Sequence, residues 1–138
     1  IRREKATSNI CSNQALIALR TAIYLSIMGY EGLKQINEIS CERARFLAES
    51  IKKIDGFSIV FADFLNEFVI KIDKRISLAD FLTEMKKKNI LAGIDLGKKY
   101  AEFENCLLVC VTEMNEPEHL NQFISAIKSY SEKLKAKI

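Results

Sequence analysis

The chain has 138 residues, and with 49% hydrophobic and 28% charged residues its composition is that of one globular domain rather than a disordered chain. The net charge of +3 comes from 21 basic residues scattered among 18 acidic ones, which argues against a nucleic-acid interface. No run reaches the roughly 18 apolar residues of a membrane span and no signal peptide is recognised, so we predict a cytoplasmic protein without a membrane partner.

The first 14 residues form a polar, charged arm that leads directly into an apolar segment. Three basic residues among the first five precede the run Thr7-Ser8-Asn9, so hydroxyls, an amide and backbone N–H groups gather just before a predicted helix. Donors near a helix N-terminus favour an anion. The alternative interpretation is that Thr7 to Asn13 only cap the helix at a poorly packed terminus.

Two helices are predicted next. The first runs from Ser12 or Asn13 to Met28 and ends at Gly29. Apolar residues cover most of its circumference, so it must be buried on several sides or face another chain. The second helix is predicted over residues 31–54, with a single apolar stripe, and Gly56 follows its end.

A hairpin and a short helix follow. Residues 57–61 and 66–72 are predicted to be antiparallel strands, and in the second strand Phe68, Ile70 and Ile72 share one face. Ser77 predicts the N-terminal cap of a helix over residues 78–88. Five phenylalanines are expected to point into the core: Phe57, Phe61, Phe68, Phe81 and Phe123.

The last part of the chain contains two glycines that interrupt regular structure, followed by a strand and a helix. Gly93 and Gly97 predict a tight loop, which is either a structural turn or the border of a substrate opening. Residues 106–112 form the most strongly predicted strand, and the segment Asn115 to Glu118 begins the last helix. Two long helices followed by β-β-α-β-α predict an α+β fold, in which helices cover one face of a mainly antiparallel sheet.

The chain alone offers no catalytic constellation. Cys106 and Cys110 lie about 13 Å apart on one strand face, which is too far for a disulfide, so reduced thiols are expected. The single histidine, His119, completes neither a zinc set nor a nucleophilic triad. The lysines fall in surface patterns, except Lys5 in the arm.

Four stretches carry a resemblance to a known family. Residues 3–16, REKATSNICSNQAL, resemble the family stretch REKATSNICTNQAL. The runs NEFVI at 66–70, ILAGIDLG at 90–97 and CLLVCVTE at 106–113 resemble its NEFVV, ILGGxxLG and ALLVAVTE segments in the same order. The departures, such as Ser12 for Thr, are conservative. The chain therefore resembles the subunit 1 family of glycine dehydrogenase (decarboxylating), part of the glycine cleavage system P-protein.

This resemblance implies that the chain is the C-terminal part of a fold-type I pyridoxal-phosphate enzyme. Residues 1–14 would be an arm leading in from a missing large domain, and residues 15–138 a small α/β sandwich domain. Thr7, Ser8 and Asn9 would contact the phosphate of pyridoxal phosphate. The implied partners are glycine, a second P-protein subunit that carries the Schiff-base lysine, and the lipoyl H-protein.

A second function class is a small regulatory or ligand-binding α+β module without catalytic activity. An RNA-binding version is disfavoured, because the predicted strands lack the exposed aromatic pairs of such sheets. Solution behaviour separates the classes: an orphaned domain should self-associate through its apolar first helix, whereas an autonomous module should be a monomer.

Overall fold

A computed structural model describes residues 12–135, apart from the side chains of Ser12 and Leu134. The chain divides into two compact units between Gln35 and Ile36. Helix α1, Ser12–Lys52, crosses this division. The second unit then contains β1 (Phe57–Ile59), β2 (Glu67–Ile72), α2 (Leu78–Lys87), β3 (Ile94–Asp95), a short 3-10 turn (Ala101–Phe103), β4 (Cys106–Cys110) and α3 (Pro117–Lys135).

Helix α1 is interrupted at Gly29, whose φ of 59° and ψ of −172° are not helical. Such angles are readily adopted by glycine, which has no β carbon. The interruption confirms the predicted boundary between two helices. The helix ends at Lys52, and Gly56, with a φ of 86°, lies in the turn before β1.

The four strands form one antiparallel sheet in the order β1-β2-β4-β3. In the central pair, Phe68 lies opposite Val109 and Ile70 opposite Leu107. All four of these side chains are buried. Alternation in β2 therefore places Phe68, Ile70 and Ile72 on the core face, as the sequence predicts. The expected α+β class with an antiparallel sheet is confirmed.

The core of the second unit lies between one sheet face and the helices. Its members come from the second half of α1, from α2 and from α3 as well as from the strands; the helical ones include Ala44, Leu47, Ala48, Ile51, Phe81, Met85, Leu120, Phe123, Ile124 and Ile127. On the other sheet face, Val69 and Cys106 are buried, whereas Cys110 is exposed. This second face is therefore only partly covered.

Several predictions about the strands are wrong in detail, and β4 ends at Cys110 rather than at residue 112. Strand β1 ends at Ile59 rather than at residue 61, and Phe61 is 48% exposed instead of lying in the core. Its ring packs against Phe103, with 6.2 Å between the centroids. Strand β3 was not predicted, because two residues are too short to produce a recognisable alternation.

Local polar contacts fix the ends of α2. The Ser77 hydroxyl accepts a hydrogen bond from the Asp80 N–H at 3.3 Å, which confirms the predicted cap. At the other end, Asn89 adopts a φ of 59°, and the N–H of Ile90 donates to the Met85 carbonyl at 3.0 Å. This left-handed ending satisfies carbonyls that the helix itself leaves unpaired.

Candidate functional site

The sequence-predicted cofactor residues Thr7, Ser8 and Asn9 lie outside the described residues. The phosphate site and the cap are therefore both still predictions. The described part of the chain presents two candidate surfaces: the first half of α1, and a cleft at one edge of the sheet.

In the first unit, every described side chain from residue 13 to residue 27 is exposed. We call the large apolar members of this segment and its end the apolar helix surface: Leu16, Ile17, Leu19, Ile23, Tyr24, Leu25, Ile27 and Tyr30. Arg20 is the one charged residue between positions 12 and 30. A helix this apolar on all sides is normally buried in a larger core or against another chain.

The hydroxyl groups on this helix are satisfied within the helix itself. Thr21 donates to the Ile17 carbonyl at 2.9 Å, and Ser26 donates to the Ala22 carbonyl at 2.7 Å. Because hydroxyls bonded to the preceding turn need no outside partner, both positions can enter an apolar environment at little cost.

In the second unit, a cleft of about 500 Å³ lies beside β3 and β4. The loop from Asn89 to Ile94 forms one wall, and residues 108–110 of β4 together with the following Val111 form another. The start of α3, including His119, closes the end of the cleft. We call this the sheet-edge cleft. Its lining is mostly apolar, with Leu91 and Ile94 strongly exposed beside it.

The polar groups of the sheet-edge cleft do not form an activated nucleophile. Partial desolvation raises the pKa of the Cys110 thiol, and the nearby Glu67 carboxylate raises it further. The Asn66 amide lies 3.6 Å from the same sulfur. A raised pKa keeps Cys110 as the neutral thiol at neutral pH, whereas the thiolate is the reactive form.

His119 has a structural role in the same region. Its Nδ1 atom accepts a hydrogen bond from the Glu116 N–H at 3.2 Å. His119 therefore caps the first turn of α3, and the cleft can bind by apolar and amide contacts without offering a base paired to a nucleophile.

Gly93 is required by a close backbone approach. Its φ is 146°, and a β carbon there would lie well inside 3.0 Å of the Leu108 carbonyl oxygen. The predicted close approach is confirmed and involves β4. Gly97 is less constrained: its N–H donates to the Asp95 carboxylate at 3.0 Å. Whether this loop borders a substrate opening stays a prediction.

Arg43, which the sequence did not single out, fixes the loop that precedes α3. Its guanidinium donates to the Glu113 carbonyl and, at 3.0 Å, to the Asn115 carbonyl. It also forms an ion pair with Glu116 at 3.4 Å. Its carbonyl partners lie 70 and 72 positions away, so no local pattern could have identified this contact.

The described residues contain no group of three or more histidine, cysteine or acidic side chains that could hold a metal ion. None of the described lysines is buried. The half-buried Lys71 donates to the Glu104 carbonyl at 2.6 Å. A Schiff-base lysine needs a desolvated amine, and none of the described lysines is desolvated within this chain. Within the same residues, no helix has the length and apolarity needed to cross a bilayer.

Comparisons with known proteins identify related chains. The family described as glycine cleavage system P-protein matches residues 1–127. A probable glycine dehydrogenase (decarboxylating) subunit 1 from Chloroherpeton thalassium is 47% identical over 93% of the chain, and one from Francisella tularensis subsp. novicida is 44% identical over the same share. In both cases the chain spans only 28% of the relative's length.

A solved structure shows the same relationship. The crystal structure of glycine decarboxylase (P-protein) of the glycine cleavage system, in inhibitor-bound form, superposes with a TM-score of 0.75. Its sequence is 30% identical to this chain, and the match covers 94% of this chain but 29% of that one. The fold described above therefore corresponds to one part of a much longer polypeptide.

Proposed function

The chain belongs to the glycine cleavage system P-protein family, and we propose that it is the C-terminal domain of a subunit 1-type glycine dehydrogenase (decarboxylating). The observation that carries this proposal is the 47% identity to a subunit of that name over 93% of the chain. An autonomous regulatory module has no comparable support, because the relatives and the solved structure all contain this region within longer chains.

The proposed reaction of the whole enzyme removes the carboxyl group of glycine as carbon dioxide and transfers the remaining aminomethyl group to the lipoyl group of H-protein. One sulfur of the lipoyl disulfide takes the aminomethyl group, and the other becomes a thiol, so the disulfide is the oxidant. Pyridoxal phosphate, when bound, supplies an electron sink for the electrons left by decarboxylation.

In this assembly the second P-protein subunit holds the cofactor and its Schiff-base lysine. The name subunit 1, which the relatives carry, supports the presence of a second subunit in the assembly. From this chain, the Thr7 hydroxyl would donate to the cofactor phosphate, with Ser8 and Asn9 contributing their side chains or backbone N–H groups. Short neutral donors beside Arg2, Arg3 and Lys5 suit a dianion. A cytoplasmic location fits this role.

The reaction is tested with a chimera. The matching region of the Chloroherpeton subunit 1 is replaced by this chain, and the chimera is assembled with the second subunit, H-protein and pyridoxal phosphate. Release of labelled carbon dioxide from carboxyl-labelled glycine should stay within roughly tenfold of the parent rate, because a correctly docked domain preserves the positions of the reacting groups. A folded, fully assembled chimera without release would overturn the proposal.

The arm is tested separately in the same assembly. Thr7→Ala should weaken cofactor binding by roughly 10- to 150-fold, as expected for a lost hydrogen bond to a charged group. Thr7→Ser keeps the hydroxyl and should bind nearly as tightly as the parent. If Thr7 only caps the helix, both variants will retain cofactor affinity, and Thr7→Ala will lower the thermal stability instead.

A further inference from the structure

We propose that the apolar helix surface is a docking surface for the part of the same subunit that lies outside this chain, an inference that rests on the proposed subunit assignment. Seven large apolar side chains are exposed on the helical segment that ends before Gly29, and the exposed Tyr30 follows the interruption. Each is 46–76% exposed, and a large exposed apolar surface of this kind marks an interaction site.

The chemistry of this surface favours a protein core over a lipid surface. Helices that lie on a bilayer carry a strongly charged face opposite the apolar one. Arg20 is the one charge between positions 12 and 30, so such a face is missing from this segment. The Thr21 and Ser26 hydroxyls are bonded to carbonyls of the preceding turn, which leaves the helix suited to a dry environment.

The shape of the surface suits a closely packed neighbour. Ala18, Ala22 and Ser26 are spaced four residues apart, so they share one face of the helix. Leu19 and Ile23 lie beside them and form a ridge. The row of small residues forms a groove beside this ridge. The side chains of a second helix can pack into such a groove, with a short distance between the two helix axes.

The length of the related subunits indicates which segment covers the apolar helix surface. The helix lies inside the region matched by the P-protein family, residues 1–127, so it is part of the family fold. The chain spans only 28% of the relatives it matches. More than two thirds of such a subunit is therefore available to cover the helix, and it is present at an effective concentration that no separate partner reaches.

Amide hydrogen exchange in two contexts tests this proposal. In the 138-residue chain alone, amides of residues 13–28 should exchange rapidly. In the chimera with the Chloroherpeton subunit they should exchange on the order of 100-fold more slowly, because docking suppresses local opening. Equal exchange in both contexts would overturn the proposal. The isolated chain is measured at a concentration at which it is monomeric, because an orphaned apolar helix is expected to self-associate.

Substitution provides an independent readout. Ile23→Glu should leave the melting temperature of the isolated chain within about 2 °C, but lower that of the chimera by more than about 5 °C, because a charge is then buried without a partner. Leu91→Glu is the matched control: Leu91 is 92% exposed in the second unit, and this change should lower neither melting temperature comparably. Equal effects of Ile23→Glu and Leu91→Glu in the chimera would contradict docking.

These readouts are independent of activity. An inactive chimera with a protected helix would overturn the proposed function and leave the docking surface intact. An active chimera in which the amides of residues 13–28 exchange as fast as in the isolated chain would support the proposed function and overturn the docking surface.

Discussion

Gly93 and Leu108 lie so close that the loop before β3 rests directly on the backbone of β4. A β carbon at position 93 would also lie 3.1 Å from the side chain of Leu107, which is buried in the core. Neither this side chain nor the Leu108 carbonyl can move away easily. This contact holds one wall of the sheet-edge cleft against the sheet.

Gly93→Ala should therefore lower the free energy of unfolding by about 3 kcal/mol, from backbone strain and overpacking together. Gly97→Ala is the control, because its β carbon would lie 3.2 Å from the Glu104 Cα and its φ lies outside the left-handed region. Gly97→Ala should lower the free energy of unfolding by less than about 1 kcal/mol. Urea denaturation of both variants measures the difference, and equal losses would contradict the contact.

Asn105 supports the turn before β4 in two ways. Its φ is 59°, and its side-chain amide lies 3.0 Å from the Ile72 carbonyl, 3.1 Å from that of Asp73 and 3.3 Å from that of Ile76. Asn105→Ala should cost about 3 kcal/mol of stability. Asn89→Ala, at the same φ, should cost only about 1 kcal/mol. If thermal unfolding gives the two variants the same stability, the amide contributes nothing.

Arg43 is predicted to stabilise the loop before α3 through its carbonyl contacts rather than its ion pair. Arg43→Met keeps the apolar stem and should cost about 1 to 3 kcal/mol, because the carbonyls of Glu113 and Asn115 lose their donor. Glu116→Gln removes only an ion pair with a 58% exposed carboxylate and should cost less than about 1 kcal/mol. Chemical denaturation that ranks the two variants in the opposite order would refute this assignment.

Asp73 and Arg75 predict a pH dependence. Hydrogen bonds from the Arg75 side chain and backbone lower the pKa of Asp73 from 3.8 to about 2. Because the folded pKa is depressed, the stabilisation is fully present above about pH 3.8 and is lost as pH falls towards 2. Nuclear magnetic resonance titration of the carboxyl carbon should show the low pKa, and Arg75→Gln should raise it towards 3.8.

Lys74→Gln is the matched control for this titration, since it removes an equal charge one residue away. It should leave the pKa of Asp73 near its parent value. An equal rise in both variants would mean that general electrostatics, rather than the Arg75 hydrogen bonds, depresses the pKa.

The features that the sequence predicted are those with local causes. Gly29 interrupts α1 because its backbone adopts angles that other residues avoid, and Ser77 caps α2 with a hydroxyl three residues from its donor. The alternation of Phe68, Ile70 and Ile72 fixes the core face of β2.

The features that were missed depend on distant partners. The carbonyl partners of Arg43 lie 70 and 72 positions away, and strand β3 exists only because two residues pair with β4. Phe61 lies beyond the end of β1, where its ring meets Phe103 instead of the core. The arm with Thr7, Ser8 and Asn9 lies outside the described residues. Its proposed role in phosphate binding therefore rests on the sequence motif.

The most direct test of the central claim is the mass of H-protein after incubation with glycine, pyridoxal phosphate, the second subunit and the chimera containing this chain. We expect lipoyl H-protein to gain one aminomethyl group, and to stay unchanged when the chimera is omitted. If the assembly is intact and loaded with cofactor but H-protein keeps its original mass, this domain does not support the P-protein reaction.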